Sequence, residues 1–180
     1  MKIFKTRQEL LLSLPKNMKI AEVGVFKGEL SKFIFKDLCP NELFLIDLFE
    51  GGTWSGDQNG ENMQFANMSD QLEFLKKHFE KCENVKFLKG YSHSQLQNIP
   101  NEYLDLVYID ASHEYEDVKK DLSISFTKVK KHGFICGHDY EINRFPGVVK
   151  AVNEFCENLK LKIISLSEDK LPTYLITKYE

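Results

Sequence analysis

Several features that would place a protein quickly in a class are missing from this sequence. Its longest apolar stretches have the length of a β-strand, well short of the ~20 residues that span a bilayer. Near its beginning, Gln8 and Glu9 stand where a signal peptide would carry an apolar run. We therefore expect no membrane partner and a cytoplasmic protein.

Excess positive charge is absent as well. The 24 Lys and Arg residues against 27 Asp and Glu give a net charge of -3, so there is no electrostatic basis for expecting a nucleic-acid partner. Internal repeats, low-complexity tracts and linker-like segments are also missing. A length of 180 residues then predicts a single domain over residues 1–180.

Cysteine is sparse, and the cysteines are not paired along the chain. Cys39, Cys82, Cys136 and Cys156 form no C-x-x-C motif, which argues against a structural zinc site. Without a secretory signal it also argues against a disulfide framework. We expect free thiols in a reducing compartment, mostly buried, with reactive thiols as the alternative.

What the sequence does contain is an alternation of strand-sized apolar runs and segments with helical periodicity. Five such runs lie near residues 20–23, 43–46, 85–88, 104–109 and 134–136. Two more, near 161–166 and 173–177, are separated by a short polar turn and can pair as a hairpin. The pattern predicts an α/β fold with a doubly wound, mostly parallel seven-stranded sheet and a C-terminal antiparallel hairpin.

Ligands of open α/β sheets bind beyond the carboxyl ends of the strands, so the residues at those ends are the candidates for a site. The first strand ends in EVGVFKG (22–28), where Gly24 permits a tight turn and Gly28 lets a helix begin against the sheet. Asp47, at the end of the next strand, is a residue type that accepts hydrogen bonds from ribose hydroxyls. The G-x-x-x-G spacing lacks the second glycine of a dinucleotide motif, so a nucleoside without phosphates fits better. Glycines at a turn that binds nothing are the alternative.

The third strand ends at Gly90-Tyr91-Ser92. The backbone and the Ser92 hydroxyl can receive the edge of an adenine there. An ordinary turn residue explains Ser92 equally well.

Acidic and histidine side chains follow the fourth and fifth strands, in DASHEY (110–115) and GHDY (137–140). If these strands are neighbours, Asp110 and the pair His138–Asp139 can converge on a hard divalent cation such as Mg²⁺. His113 opens the following helix, and its neutral form can accept a proton from an acceptor hydroxyl. A structural role for both histidines is the alternative.

With these residues in place, the chain resembles the class I S-adenosylmethionine-dependent methyltransferases. More narrowly, it is similar to a short bacterial group that shares features with the sugar and macrolide O-methyltransferases. The resemblance covers nearly the whole chain and rests on AEVGVFKG (21–28), LIDLFEG (45–51), YIDASHEYEDVKKDL (108–122), GFICGHDY (133–140) and PGVVKAVNEF (146–155).

The resemblance implies roles for the residues at the strand ends. Glu22, Gly24 and Gly28 would line the methionine end of the cofactor. Asp47 would hold its ribose, Ser92 would lie near its adenine, and Asp110 would lie beside it.

The same resemblance implies a metal site and a base. Asp110 would bind Mg²⁺ together with the adjacent pair after the fifth strand, and His113 would act as the general base. That pair is His138–Asp139 here, not two oxygen ligands, and imidazole is a poorer ligand for Mg²⁺ than for transition metals. Either another divalent cation binds, or His138 serves as a base or substrate contact and there is no tight metal site.

The sequence thus predicts an enzyme that transfers a methyl group from S-adenosylmethionine to a small hydroxylated acceptor, such as a sugar or a secondary metabolite. Its expected catalytic residues are His113, Asp110 and His138, with a divalent cation as a further cofactor and a homodimer as a possible assembly. Two alternatives stay open: a non-catalytic S-adenosylmethionine-binding scaffold and an NAD-dependent oxidoreductase.

Overall fold

The computed structural model of the protein describes residues 1–50, 53–54, 63–64 and 68–178. Its strands are β1 (Lys2–Phe4), β2 (Lys19–Val23), β3 (Glu42–Asp47), β4 (Thr53–Trp54), β5 (Met63–Gln64), β6 (Val85–Lys89), β7 (Leu104–Ile109), β8 (Val129–Gly137), β9 (Ile163–Ser167) and β10 (Tyr174–Thr177). Its helices are α1 (Arg7–Leu12), α2 (Glu29–Phe33), α3 (Met68–His78), α4 (Ser92–Gln97), α5 (Tyr115–Lys128) and α6 (Pro146–Leu159). A π-helical turn, Ile34–Leu38, continues α2.

The main sheet has the strand order β1-β9-β10-β8-β7-β2-β3-β6. All neighbouring pairs are parallel except those of β10, which runs antiparallel to both β8 and β9. The doubly wound, mostly parallel α/β sheet with a C-terminal antiparallel hairpin is therefore confirmed. The two-residue strands β4 and β5 form a separate antiparallel pair.

The sheet has eight strands, so the predicted number of seven is wrong by one. The additional strand is β1, which pairs in parallel with β9 through Lys2–Ser165, Ile3–Leu166 and Phe4–Ser167. Three residues are too few to show a period in the sequence, and the partner strand lies at the other end of the chain. The short helix α4 was not predicted either, because its six residues bury only Leu96.

The core lies in two layers, one on each side of the sheet, because successive strand residues point to opposite faces. In β2, Ile20 packs into the layer that also holds the apolar side chains of α1, α2 and α3. Ala21 and Val23 pack into the other layer, with those of α4, α5 and α6. Burial on both faces explains why the central strands are continuous apolar runs.

No helix among the described residues is long and apolar enough to cross a membrane. The four cysteines are free: Cys136 and Cys156 are buried, Cys82 is half-buried and Cys39 is exposed.

Strand β2 is the point at which the strand order reverses, with β3 on one side and β7 on the other. The Asp110 N–H donates to the Val23 carbonyl at 2.7 Å, and the Gly24 N–H donates to the Ile46 carbonyl at 2.9 Å. Gly24 has φ +89°, and a Cβ placed on it would lie 1.9 Å from the Asp110 carbonyl oxygen. The carboxyl ends of the three strands are therefore held in backbone contact, at the edge where open α/β sheets bind ligands.

A charged cluster centred on Glu42 lies at the other end of the strands, where β2 and β3 begin. Its carboxylate pairs with Lys19 at 3.3 Å and also receives hydrogen bonds from Lys86 and the Tyr103 hydroxyl. The Lys19 ammonium lies 3.7 Å from the centre of the Tyr103 ring. The Lys86 hydrogen bond, followed by that of Tyr103, lowers the pKa of Glu42 to about 2.

We expect Glu42→Gln to reduce the free energy of unfolding by about 1 kcal/mol at pH 7, the range of half-exposed ion pairs. Because the folded pKa lies below the usual 4.5, the stabilisation is complete above that value and is lost as the pH falls toward about 2. Urea unfolding at pH 7 and at pH 3 measures the free energy of unfolding of the wild type and of Glu42→Gln. If the difference between the two proteins is as large at pH 3 as at pH 7, the ionised Glu42 carboxylate does not stabilise the fold.

We expect Gly24→Ala to lower the free energy of unfolding by at least about 2 kcal/mol, because its Cβ would meet rigid backbone. Gly28→Ala is the matched control, since it has φ +72° but its Cβ meets only the end of the Leu75 side chain. Left-handed backbone alone costs alanine about 1 kcal/mol. Equal losses in urea unfolding would show that backbone conformation, and not the contact with Asp110, limits position 24.

Candidate functional site

Asp47 ties together the two loops that follow β2 and β3. Its Oδ2 accepts hydrogen bonds from the N–H groups of Val25 at 2.7 Å and Phe26 at 3.1 Å, and its Oδ1 accepts one from Phe49 at 2.8 Å. Phe26 and Phe49 both have φ +48°. A carboxylate offers about four acceptor positions, so three backbone donors leave room for a ligand hydroxyl. The ribose contact of Asp47 stays a prediction.

Glu22 lies in β2, two residues before Gly24, with its side chain on the α2 side of the sheet. It is 1% exposed, and neither carboxylate oxygen has a hydrogen bond to a residue that the structure describes. Burial raises the pKa of Glu22 to about 8, against the opposing effect of the nearby Ser31 hydroxyl, and the Asp110 and Asp47 carboxylates add to the rise. A buried acid without a partner at the carboxyl edge of the sheet is a typical feature of a ligand site.

Ser92 is the first residue of α4, and its hydroxyl donates to Oδ1 of Asp121 at 2.7 Å. Asp121 is buried in α5, and its burial raises its pKa to about 6. The Ser92 hydroxyl thus links α4 to α5, and its contact with adenine stays a prediction. Beside it, Tyr91 is 65% exposed and stacks on His93 with ring centres 5.7 Å apart. Sequence reasoning did not single out this aromatic pair.

Asp110, His113, His138 and Asp139 line one cleft at the carboxyl ends of β7 and β8. Its shortest side-chain contact joins His113 and Asp139. His113 Nε2 lies 2.6 Å from Asp139 Oδ2, and the His113 ring stacks on Phe145 with centres 4.3 Å apart. Asp139 is buried and has φ +60°, a backbone conformation that aspartate tolerates better than most residues. The loop after β8 therefore turns the Asp139 carboxylate toward the start of α5.

His138 lies on the other side of the same carboxylate. Its Nδ1 is 3.1 Å from Asp139 Oδ1 and 3.8 Å from Asp110 Oδ2. Burial opposes the charged imidazole, but the adjacent Asp139 and Asp110 carboxylates outweigh it and raise the pKa of His138. Burial likewise opposes the Asp139 carboxylate, yet the hydrogen bond with His113 and the charge of His138 lower its pKa.

Asp110 has a different environment from Asp139. Burial, with a contribution from the Asp139 carboxylate, raises the pKa of Asp110 to about 6 against the opposing charges of His138, Arg7 and His113. The two carboxylates of the cleft therefore differ in proton affinity.

Three side chains of the cleft come close enough to share one cation. One ligand atom each from Asp110, His113 and Asp139 all lie within 4.8 Å of one another. The expected set was Asp110, His138 and Asp139, so the structure brings in His113 where the sequence suggested His138. Asp139 turns Oδ2 to His113 and Oδ1 to His138, so the two histidines lie on two sides of one carboxylate.

Arg7 is the residue of this cleft that sequence reasoning did not place. Its Nη1 lies 3.7 Å from Asp110 Oδ2, and its guanidinium also interacts with the Tyr108 hydroxyl. The capping sequence around Thr6 did predict helix α1, and the Thr6 hydroxyl accepts a hydrogen bond from the Glu9 N–H at 3.2 Å. No pattern in the sequence indicated that α1 begins beside Asp110.

The chain matches the family model described as "Methyltransferase domain" over residues 21–140. An uncharacterised protein of Acanthamoeba polyphaga mimivirus, R132, is 31% identical over 133 residues, covering 64% of this chain and 59% of that protein. The uncharacterised protein y4gI of Sinorhizobium fredii is 25% identical over 128 residues, and the match spans 13% of its length. The chain thus spans less than two thirds of each of these curated relatives.

Solved structures show the same fold. SMU.1697c from Streptococcus mutans, solved in complex with SAH, has a TM-score of 0.69 at 10% identity, covering 97% of this chain and 99% of that chain. Precorrin-6y C5,15-methyltransferase from Geobacter metallireducens has a TM-score of 0.64 at 16% identity, covering 96% and 85%. Chains with this fold are also named for rRNA, tRNA and ribosomal protein L11, so the fold leaves the acceptor open.

The family match spans the glycine turn, Asp47, the Asp110–His113 segment and Asp139, which are the residues that the fold gathers at one edge of the sheet. The glycine spacing and the buried acid at that edge suit S-adenosylmethionine as the cofactor. The chain therefore belongs to the methyltransferase domain family, and its fold is that of the solved methyltransferases compared above.

Proposed function

We propose that this domain transfers the methyl group of S-adenosylmethionine to a hydroxyl oxygen of a small acceptor, such as a sugar or a secondary metabolite. The bond between sulfur and the methyl carbon breaks, a bond between the acceptor oxygen and that carbon forms, and the hydroxyl proton passes to His113. S-Adenosylhomocysteine is the second product. The observation that carries the proposal is the 2.6 Å contact between His113 and Asp139 beside the predicted cofactor residues.

A base is what distinguishes an oxygen acceptor from a nitrogen one. A neutral amine already carries the lone pair that attacks the methyl group, whereas an alcohol is a weak nucleophile until its proton leaves. The Nε2–H of His113, donated to Asp139, places the lone pair of the neutral ring on Nδ1. Asp139 then stabilises the imidazolium that forms when the proton arrives. This arrangement supports oxygen as the acceptor atom.

Positioning supplies the larger part of the catalysis. Transfer from a sulfonium is an in-line displacement, so acceptor oxygen and methyl carbon must be held at near-attack distance. Gly24 permits close approach of the cofactor to backbone, while Asp47 holds the loops after β2 and β3 in place. The stacking of His113 on Phe145 limits rotation of the base.

The charge of the cleft favours a small acceptor over RNA. Glu22, Asp47, Asp110 and Asp139 all lie at the carboxyl edge of the sheet, and the whole chain has a net charge of -3. A phosphate backbone approaching this edge would be repelled, whereas nucleic-acid sites carry clustered Lys and Arg. A sugar or a secondary metabolite is the choice that agrees with the resemblance to sugar and macrolide O-methyltransferases, an argument by analogy.

A divalent cation fits the same cleft. Asp110, His113 and Asp139 would hold it, and their two carboxylates and one imidazole suit Mn²⁺, Fe²⁺ or Zn²⁺ better than Mg²⁺. When bound, such a cation lowers the pKa of a coordinated hydroxyl. His113 would then serve as a metal ligand. The cation, by lowering the pKa of the acceptor hydroxyl, would replace His113 as the group that promotes loss of the proton.

We expect His113→Gln to lower kcat by about 10²- to 10⁴-fold, the contribution of a general base, while the affinity for S-adenosylhomocysteine stays unchanged. Asp139→Asn should lower kcat similarly, and the double variant should be little worse than either single one, because the two side chains act as a unit. His78→Gln, an exposed change on α3, is the control. Additive losses in the double variant would contradict the pair.

We expect Mn²⁺ or Zn²⁺ to raise the melting temperature more than Mg²⁺ does, and Asp110→Asn to remove most of that rise. Glu80→Gln, an exposed carboxylate on the surface, is the control. A methyl-transfer assay with and without EDTA then separates the two uses of the cleft. Activity that persists in EDTA supports His113 as the base, and activity lost in EDTA and restored by Mn²⁺ supports metal assistance.

The acceptor class is tested with methyl-labelled S-adenosylmethionine and a panel of monosaccharides, nucleotide-linked sugars, phenols, bulk tRNA and a lysine-rich protein. We expect the label in a small molecule, as an ether that survives mild alkali. Label in the RNA or protein fraction, or on an amine, would overturn the proposal.

A further inference from the structure

Arg7 lies at the N-terminus of α1, which a hydrogen bond holds in place. It is the first residue of α1, after the N-cap Thr6. Its backbone N–H donates to Oδ2 of Asp169, in the turn between β9 and β10, at 2.5 Å. The Asp169 carboxylate, 162 residues away in the chain, therefore holds the first residue of α1 in place.

The Arg7 guanidinium lies beside Asp110 but forms no hydrogen bond with it. Its Nη1 is 3.7 Å from Asp110 Oδ2, which is ion-pair range but beyond hydrogen-bond distance. A guanidinium carries five N–H donors in a fixed fork. The Asp110 contact satisfies none of them, and the Tyr108 hydroxyl beside the group can accept from at most two. The side chain is 27% exposed, so a ligand at the edge of the sheet can reach it.

The same cation also acts on the cofactor side of the cleft. Its charge lowers the pKa of Glu22, against the larger effect of burial, as well as that of Asp110. Glu22 directly precedes the turn at Gly24, and that turn touches the Asp110 backbone. Arg7 therefore acts electrostatically both on the acid predicted to line the methionine end of the cofactor and on the acid beside the base.

The methionine part of S-adenosylmethionine carries an ammonium, a sulfonium and a carboxylate. The acidic edge suits the first two groups, because the Asp110 carboxylate attracts positive charge and a bound cation beside Glu22 would favour its ionised form. The ligand carboxylate would be repelled by Asp110 unless a cation lay beside it. Arginine is the residue best shaped for a carboxylate, since two parallel N–H groups can meet its two oxygens.

We propose that Arg7 binds the carboxylate of the methionine part of S-adenosylmethionine. The inference rests on cofactor binding by this domain and is independent of which acceptor is methylated. It assigns a ligand contact to the β1–α1 segment, which lies before the region that the family model matches.

The test compares S-adenosylmethionine with decarboxylated S-adenosylmethionine, which keeps the sulfonium and the amine but has no carboxylate. Dissociation constants are measured by calorimetry, without acceptor, for the wild type, Arg7→Met and the control Lys5→Met. Lys5 is an exposed cation two residues away on the same segment. We expect Arg7→Met to weaken S-adenosylmethionine by about 10- to 100-fold, to leave the decarboxylated compound unchanged, and Lys5→Met to change neither.

Two results would overturn the inference: an equal loss for both compounds in Arg7→Met, or no loss for S-adenosylmethionine. If Arg7→Met does not fold, Arg7→Lys serves instead. It keeps the charge but not the fork, so it should weaken S-adenosylmethionine alone, by a smaller factor. A wild-type protein that binds neither compound would instead refute cofactor binding, and activity on an amine or on RNA would refute only the proposed acceptor.

Discussion

The site depends on one backbone contact, between the end of β2 and the end of β7. The Val23 carbonyl accepts the Asp110 N–H, and Gly24 lies against the Asp110 carbonyl at a distance that leaves no space for a Cβ. This contact brings Glu22 and Asp110 into one environment, where burial raises the pKa of both and the Asp110 carboxylate adds to the rise at Glu22. A side chain at position 24 would separate the cofactor turn from the acid of the cleft.

Four carboxylates therefore crowd one edge of the sheet, and each is accommodated in a different way. Three backbone N–H groups surround Asp47, two imidazoles flank Asp139, and Arg7 faces Asp110. Glu22 has no hydrogen bond to a described residue, and with a pKa of about 8 it is largely protonated at neutral pH. The same chemical group therefore has different roles in different surroundings: Asp47 orders two loops, Asp139 orients His113, and Glu22 is available to a cationic ligand.

The parts of the fold that were predictable are those with a repeating local signal. The central strands were recognisable because burial on both faces makes them continuous apolar runs, as in Leu43–Ile46. The predictions failed where an element is too short to show a period, as in β1 and α4. The start of β8 at Val129 was also missed, because its exposed residues Lys131 and His132 interrupt the apolar pattern.

The sequence by itself determined that Glu22, Asp47, Asp110 and Asp139 would meet at one edge, because each lies within two residues of the end of a parallel strand and such ends lie side by side. Only the tertiary structure decided which histidine takes which oxygen of Asp139, and that Arg7 faces Asp110. His113 and Asp139 are 26 residues apart, and Arg7 reaches the cleft from a helix tethered to the C-terminal hairpin. Contacts of that kind follow from how helices pack on the sheet and from the left-handed backbone at Asp139, and local sequence patterns do not encode either.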